Sequence, residues 1–238
     1  MGEQKKYDVI CIGQAVQDIL TTNVPKNAFM METDTVKADS LTITTGGDAV
    51  NEAIILSRLG NKSSVVVRLD NRNVGNMIYQ ELKDENVDVS LVSRQDDCEN
   101  FTSMIFIHPD GDHDFIVGPG KNYMLSRSDV DFSVFSKARA VSAGSLFTLG
   151  ELDTNGIEEI FKIAQDSGAY TFADANFDLK GIGPDAIKGV YPYTDYIIPS
   201  LNEAMYMTGK KNVDDIADWF LAHGVKNVML KLGSKGCF

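Results

Sequence analysis

The sequence predicts an α/β domain with a mostly parallel central sheet and a small separate β-sheet set against it. Three observations carry this expectation. Short apolar runs that end in glycine alternate with glycine-free, amphipathic stretches along much of the 238 residues, the pattern of strands joined by crossover helices. That alternation is broken at residues 41–45 and 101–117, whose β-type segments do not fit a regular strand–helix order. Hydrophobic residues at 43% and charged residues at 24% match ordinary globular usage, so a folded core rather than disorder is expected.

The elements follow in order. Residues 7–13 (YDVICIG) form a short apolar run closed by Gly13 and read as a buried first strand. Residues 41–45 (LTITT) are rich in β-branched side chains and end at Gly46-Gly47. Residues 48–59 contain no Gly or Pro and stop at Gly60, which reads as a helix with a glycine stop. Residues 64–69 (SVVVRL) read as one buried strand and residues 73–85 as an amphipathic helix. Residues 101–107 and 113–117 flank Pro109-Asp110-Gly111, a hairpin signature. This hairpin and residues 41–45 are expected to project together as a lid. Strands are then expected at 138–143, 169–173, 196–198 and 227–232, and helices at 154–165, 200–207 and 213–223.

One α/β domain over 1–238 accommodates these elements, with lid segments at about 14–45 and 96–120. Residues 233–236 look like the turn of a hairpin whose second strand has barely begun at Cys237-Phe238. A strand edge left uncovered there is unusual, so the domain is expected to be incomplete at its C-terminus.

Charge narrows the partners. With 22 Lys+Arg against 34 Asp+Glu the formal net charge is −12, so neither nucleic acid nor an anionic membrane is an expected partner. The three cysteines are odd in number and widely spaced, which suits neither a disulfide framework nor a zinc knuckle. With no leader-like start and no membrane-length apolar stretch, a cytoplasmic location is the expectation.

The most informative segment is Gly46-Gly47-Asp48-Ala49-Val50-Asn51. A glycine pair that follows a β run and opens a helix lets a ligand approach the backbone closely, and the helix start presents unpaired N–H groups. On spacing alone a plain strand-to-helix turn explains it equally well. Several bland readings are preferred elsewhere. His108–Asp114 is read as a solvated hairpin tip rather than a metal loop. Gly118-Pro119-Gly120-Lys121-Asn122 lacks the phosphate-loop pattern. Gly209-Lys210-Lys211 reads as a helix stop and Trp219 as packing. Gly144-Ser145, after a strand, is an even choice for the rim of a site.

GGDAVNEAIILSRLG resembles the first signature of the ribokinase-like (PfkB) carbohydrate kinases. Other segments are similar to that family in the same order: residues 12–18 with Asp18, the second lid segment 91–117, Ala173-Asp174-Ala175-Asn176, residues 198–209, and residues 228–236. The resemblance implies a three-layer ribokinase-like sandwich with a β lid. It implies transfer of the γ-phosphoryl of ATP, with Mg2+, to a hydroxyl of a sugar or sugar derivative. Asp18, Gly46, Gly47 and Asn51 would then bind the acceptor. Ser200, Lys231, Gly233 and Gly236 would border the nucleotide, and Glu203 would reach the metal through water. A homodimer through the lid strands is the assembly the resemblance allows.

The sequence also departs from the family. Ser200 and Leu201 stand where an Asn and an acidic residue are usual, and Lys231 where a Thr is usual. Asp48 follows the glycine pair, and Asp70-Asn71-Arg72-Asn73 replaces an acidic loop. The G-A-G-D segment, which would carry the catalytic base, is expected beyond Phe238, so the 238-residue chain is expected to be a poor catalyst. Two alternatives stand beside the sugar kinase. One is a nucleoside kinase of the same family, with Phe101, Phe106 and Phe115 as an aromatic slot. The other is a non-catalytic sugar-binding or regulatory member.

Overall fold

Strand β1 (Tyr7–Ile12) leads into β2 (Val16–Thr22), β3 (Ser40–Gly46) and helix α1 (Asp48–Arg58). Strands β4 (Ser63–Val66) and β5 (Arg68–Asp70) precede α2 (Asn73–Asp84), and β6 (Ser93–Gln95), β7 (Thr102–Ile107) and β8 (His113–Val117) follow. The rest of the chain supplies β9 (Ala138–Leu146), α3 (Leu152–Asn155), α4 (Ile157–Asp166), β10 (Tyr170–Ala175), β11 (Tyr196–Ile197), α5 (Leu201–Thr208), α6 (Val213–Ala222) and β12 (Asn227–Val228). The structure is a computed structural model that describes residues 5–32 and 35–238. Residues 1–4, read above for a leader, and residues 33–34 of the expected lid segment 14–45 lie outside the described residues.

The central sheet is parallel throughout, in the order β12-β11-β10-β9-β1-β4. Helices α1 and α2 pack on one face through Ala49, Val50, Ala53 and Ile78 against Val9, Cys11 and Val65. Helices α4 and α6 pack on the other through Ile157, Ile160, Phe161, Ile216 and Phe220. Apolar residues thus meet on both faces of the strands, which explains why the strands read as continuous rather than alternating runs. The result is a three-layer α/β sandwich. Among the described residues, no helix is long and apolar enough to cross a membrane.

The strand order reverses beside β1. The chain moves from β1 to β4 on one side, then returns to place β9 on the other. Ligands in open α/β sheets bind at such a switch point, beyond the carboxyl ends of the strands.

A separate four-stranded sheet, β3-β2-β7-β8, forms the lid. The sequence marks β3 and the hairpin β7–β8 but not β2. The β2 segment VQDILTT mixes polar and apolar residues and is half-buried over most of its length. It nevertheless pairs with β3 over its whole length and with β7 from Gln17 onward. Register places Asp18 opposite Thr44 and Ser103 on one face, and Ile19 opposite Ile43 and Met104 on the other.

Other boundaries are corrected. Residues 64–69 are not one strand: the Val67 carbonyl accepts from Ser93 N (3.0 Å), so β5 leaves the β1 ladder and pairs with β6 in a two-stranded sheet of its own. Val65, Val67 and Leu69 are all fully buried, so the apolar pattern carries no mark of the split. The expected helix at 154–165 is broken at Gly156, whose φ of −178° is extended. Strand β9 runs through Gly144 instead of ending there. That glycine allows a close approach, since a Cβ on it would lie 2.7 Å from Asp48 Cβ. Of residues 227–232 only Asn227–Val228 forms a ladder strand, while Lys231 bridges to Ser200 and to Cys237. The terminal hairpin is present: Leu230 and Phe238 exchange backbone hydrogen bonds of 2.9 and 3.0 Å.

Candidate active site

The strand ends around the switch point bring the site together. Gly13 follows β1 and Ser145 lies near the end of β9, and a Cβ on Gly13 would lie 2.9 Å from Ser145 Oγ. The Ser145 hydroxyl donates to Asp48 Oδ2 at 2.8 Å. Asp48 is the first residue of α1, so a carboxylate stands at the switch point. Burial pushes its pKa up, while the Ser145 hydrogen bond and the charge of Lys231 pull it back.

The residues expected to bind the acceptor lie on the lid and at the start of α1. The Asp18 carboxylate lies against Gly46: a Cβ there would stand 1.9 Å from Asp18 Oδ2. Gly47 adopts φ +93° and ψ 139° as the N-cap of α1, and a Cβ on it would meet the Gln14 carbonyl oxygen at 2.3 Å. The Asn51 N–H donates to Gly47 O at 3.0 Å, and the Asn51 side chain is exposed. Asp18 thus meets Gly46, and Gly47 opens α1 one turn before Asn51. Asp18 is half-buried, burial raises its pKa, and among the described residues no donor reaches its carboxylate.

A second group gathers at the ends of β10, β11 and the last bridge. Lys231 N donates to Pro199 O (2.9 Å) and Leu201 N donates to Lys231 O (3.0 Å), which sets Lys231 beside Ser200. The Lys231 ammonium pairs with Asp174 Oδ2. Burial pushes Asp174 up to about 6 even against this partner. Ser200 and Glu203 close a capping box on α5, and Glu203 Oε2 accepts from Ser200 N at 2.6 Å. Gly233 and Gly236 occupy the exposed turn beyond, with φ of +60° and +86°. Lys231 and Glu203 both act electrostatically on Asp48, so Asp48 links the two groups. Sequence reasoning assigns Asp48 and Asp174 no role. Their one signal is position, directly after a glycine pair and at the end of an apolar strand.

The loop after β9 is held by Asp153, which is 4% exposed. Its two oxygens accept from Phe147 N (2.8 Å) and Leu149 N (2.9 Å), fixing Phe147 at φ +75°. Gln14 Nε2 donates to Thr148 O in the same loop (3.1 Å), tying it to the segment before β2. Burial raises Asp153 from 3.8 to about 7, against the two backbone donors. Because the folded value lies above the unfolded one, this carboxyl's contribution to stability is complete below the unfolded value. It is lost as pH rises through about 7. Urea midpoints should therefore fall as pH rises across that window. In Asp153→Asn, which does not ionise, the fall should be smaller. An equal fall in both proteins would remove Asp153 as its source.

The reading of His108–Asp114 as a solvated tip holds for residues 109–114, which are exposed, but not for His108, which is buried and bonded to Val24 O and to Asp114 Oδ2 and so anchors the hairpin. No three-residue metal-binding group occurs among the described residues. Trp219 packs on Tyr191, Phe220 and His223. The three phenylalanines of the expected slot are separated. Phe101 is buried against Tyr123. Phe106, opposite Thr21, falls on the lid face away from Asp18, against Phe29. Only Phe115, opposite Ile105, shares the face of Asp18.

The family model for "pfkB family carbohydrate kinase" matches residues 6–238. The chain belongs to this family. It is 26% identical over 201 residues to Fructokinase-2 of Solanum lycopersicum, covering 81% of this chain and 61% of that protein. It is 23% identical over 244 residues to the Ribokinase of Mus musculus, covering 99% of this chain and 71% of that protein. The chain thus spans less than two thirds of the fructokinase's length. Among solved structures, a putative ribokinase from Agrobacterium tumefaciens superposes with a TM-score of 0.80 at 19% identity, covering 97% of this chain and 72% of that one. The Arabidopsis thaliana ribokinase complexed with ribose and ATP superposes at 0.71 and 21% identity, covering all of this chain and 74% of that one. At these identities the likeness is one of fold.

Proposed function

We propose that this chain supplies the acceptor side and part of the nucleotide side of an ATP-dependent sugar kinase. The observation that carries the reading is the half-buried Asp18 carboxylate on lid strand β2, set against Gly46 and without a donor among the described residues. A carboxylate so placed accepts hydrogen bonds from adjacent sugar hydroxyls, and the exposed Asn51 amide adds a donor and an acceptor. Membership of a carbohydrate kinase family and likeness to fructokinases and ribokinases support a sugar as the acceptor. Separation of Phe101, Phe106 and Phe115 favours this reading over a nucleoside acceptor, which the three would have served as one aromatic slot.

Lys231 is the cation next to the candidate phosphate path, and it would offset charge on the terminal phosphates. Magnesium fits only indirectly. Glu203 Oε2 is committed to its helix cap, Asp174 to Lys231, and no cluster of ligands stands ready among the described residues. Such a donor set suits an ion carried on phosphate oxygens and reached through water from Glu203. Bound in that way, Mg2+ would supply charge neutralisation at the transferring phosphoryl group.

Calorimetry with ribose, fructose and related sugars tests the acceptor reading, and a folded chain that binds none of them defeats it. For the nucleotide side, Lys231→Met is expected to weaken ATP binding by about 10-fold, as for loss of one partly exposed charge-assisted contact, and ADP binding by less. Equal losses for the two nucleotides would place Lys231 away from the terminal phosphate. Sugar binding without any nucleotide binding would favour the non-catalytic sugar-binding reading.

A further inference from the structure

We propose that Asp174 competes with the terminal phosphate of the nucleotide for Lys231, and that the carboxylate takes up a proton from solvent as the phosphate displaces it. Asp174 is thus a positioning residue that acts through Lys231. The proposal rests on the nucleotide-side reading of Lys231 given above.

The pair joins a fixed carboxylate to a movable ammonium. Hydrogen bonds hold β10 on both sides of Asp174, from Ile198 N to Ala173 O (2.8 Å) and from Asn176 N to Leu146 O (3.0 Å). Asp174 Oδ1 accepts from Ala175 N at 2.8 Å, which leaves Oδ2 to the Lys231 ammonium. Lys231 is pinned through its main chain, by its bridges to Ser200 and Cys237. Its side chain is 46% exposed, against 25% for Asp174, and among the described residues its ammonium makes no other hydrogen bond. On a flexible four-carbon stem, that head can turn to a ligand arriving from the solvent side while the carboxylate stays in place.

Charge decides what happens to Asp174 then. Four carboxylates share this neighbourhood: Asp174, Glu203 at the start of α5, and Asp48 and Glu52 one turn apart on α1. Among the described residues no second cation pairs with any of them, and Glu52 Oε2 is buried without a partner. Ionised, the acids outnumber the ammonium four to one, so an entering polyphosphate is repelled unless an acid loses its charge. Asp48 keeps the hydrogen bond from Ser145 Oγ (2.8 Å), and Glu203 the bond from Ser200 N (2.6 Å), whichever way Lys231 turns. Glu52 keeps its bond with Ser142. Asp174 alone loses the contact that holds it ionised. Burial already pushes it up to about 6 with Lys231 in place, and removal of the ammonium pushes it higher. Phosphate and proton therefore bind together, each favouring the other, and the proton passes from solvent to Asp174 Oδ2.

Calorimetric titration of the 238-residue chain with ATP tests the exchange. Asp174→Asn is expected to bind ATP about 10-fold tighter than the parent near pH 8, because the competing charge is gone. The advantage should vanish by about pH 5, where Asp174 of the parent is neutral as well. Buffers of different ionisation enthalpy give the proton count. Near pH 7 the parent should take up roughly half a proton more than Asp174→Asn, a comparison in which the ionisation of ATP itself cancels. A carboxylate with a merely structural role would weaken binding on removal, at acid and neutral pH alike. Asp174→Ser carries the same expectations where the amide disturbs the fold. Equal or weaker ATP binding by these variants, folded by circular dichroism, overturns the proposal and leaves the nucleotide-side reading standing. The unaltered chain decides without any variant. Its affinity for ATP, corrected for the nucleotide's own titration, should rise as pH falls from about 8 to about 6, and an affinity that does not rise overturns the exchange. If neither the parent nor a variant binds ATP, the nucleotide-side reading falls and the proposal with it.

Discussion

Gly47→Ala is expected to destabilise the chain by about 3–5 kcal/mol, a large share of the stability of an ordinary domain. Two costs add at this position. Its φ of +93° with ψ 139° is a region that residues with a Cβ occupy only under strain, at about 1–3 kcal/mol. A methyl group would also meet Gln14 O at 2.3 Å and Gln14 C at 2.8 Å, and backbone atoms do not rotate aside as a side chain would. Overpacking of this kind costs about 1–3 kcal/mol. Gly60→Ala separates the two costs. Gly60 has φ +88°, but nothing lies within 4 Å of the place a Cβ would take, so strain alone applies there. Urea unfolding of both variants is the measurement. Equal losses would mean that the contact with Gln14 yields easily, and the tight packing of the glycine pair on the segment before β2 would not be what fixes the start of α1.

The sequence carries the parts of this site that are local. Gly46-Gly47 and the helix they open are contiguous, so spacing alone shows the turn and the candidate donors on it. The β7–β8 hairpin is likewise marked by its own turn residues. What is not legible depends on long-range register. Asp18 meets Gly46 because β2 pairs with β3 across a connection of more than fifteen residues, and β2 itself has no clean alternation to announce it. Asp48, Ser145, Asp174 and Lys231 come from four separate strand ends or helix starts, and nothing in their spacing says that they converge. The split of β4 from β5 is hidden for another reason. Burial continues across it through Val67, and apolar pattern reports burial rather than which neighbour a strand pairs with. Taken as a mere departure from the family, Asp70-Asn71-Arg72-Asn73 shows nothing of its structural content. Asp70 caps the first turn of α2 and holds Asn100, a pairing across thirty residues that only the fold supplies.

Asp18→Asn is expected to weaken sugar binding by about 10–100-fold while making the folded chain more stable at neutral pH. The two effects share one cause. The carboxylate is half-buried with no donor to it among the described residues, a costly state in the absence of ligand. Burial raises its pKa above the unfolded value. By linkage, the stability this group contributes is full below the unfolded pKa and is lost as pH rises through the folded one. An amide does not undergo that loss. The stabilisation of Asp18→Asn should therefore be greatest at neutral pH and shrink as the solution is acidified toward the unfolded pKa, where the parent carboxyl is also neutral. Sugar binding moves the other way, because hydrogen bonds from hydroxyls to a charged acceptor are stronger than those to an amide oxygen. Gly46→Ala provides the companion case. Its methyl would occupy the place of Asp18 Oδ2 and push the side chain aside, so affinity should fall although the carboxylate is retained. Calorimetric titration with the preferred sugar, together with urea unfolding at acid and neutral pH, measures both quantities. An Asp18→Asn chain that binds sugar as tightly as the parent would remove Asp18 from the acceptor site. One that is less stable than the parent at neutral pH would show that the carboxylate has a structural partner and is not held in reserve for a ligand.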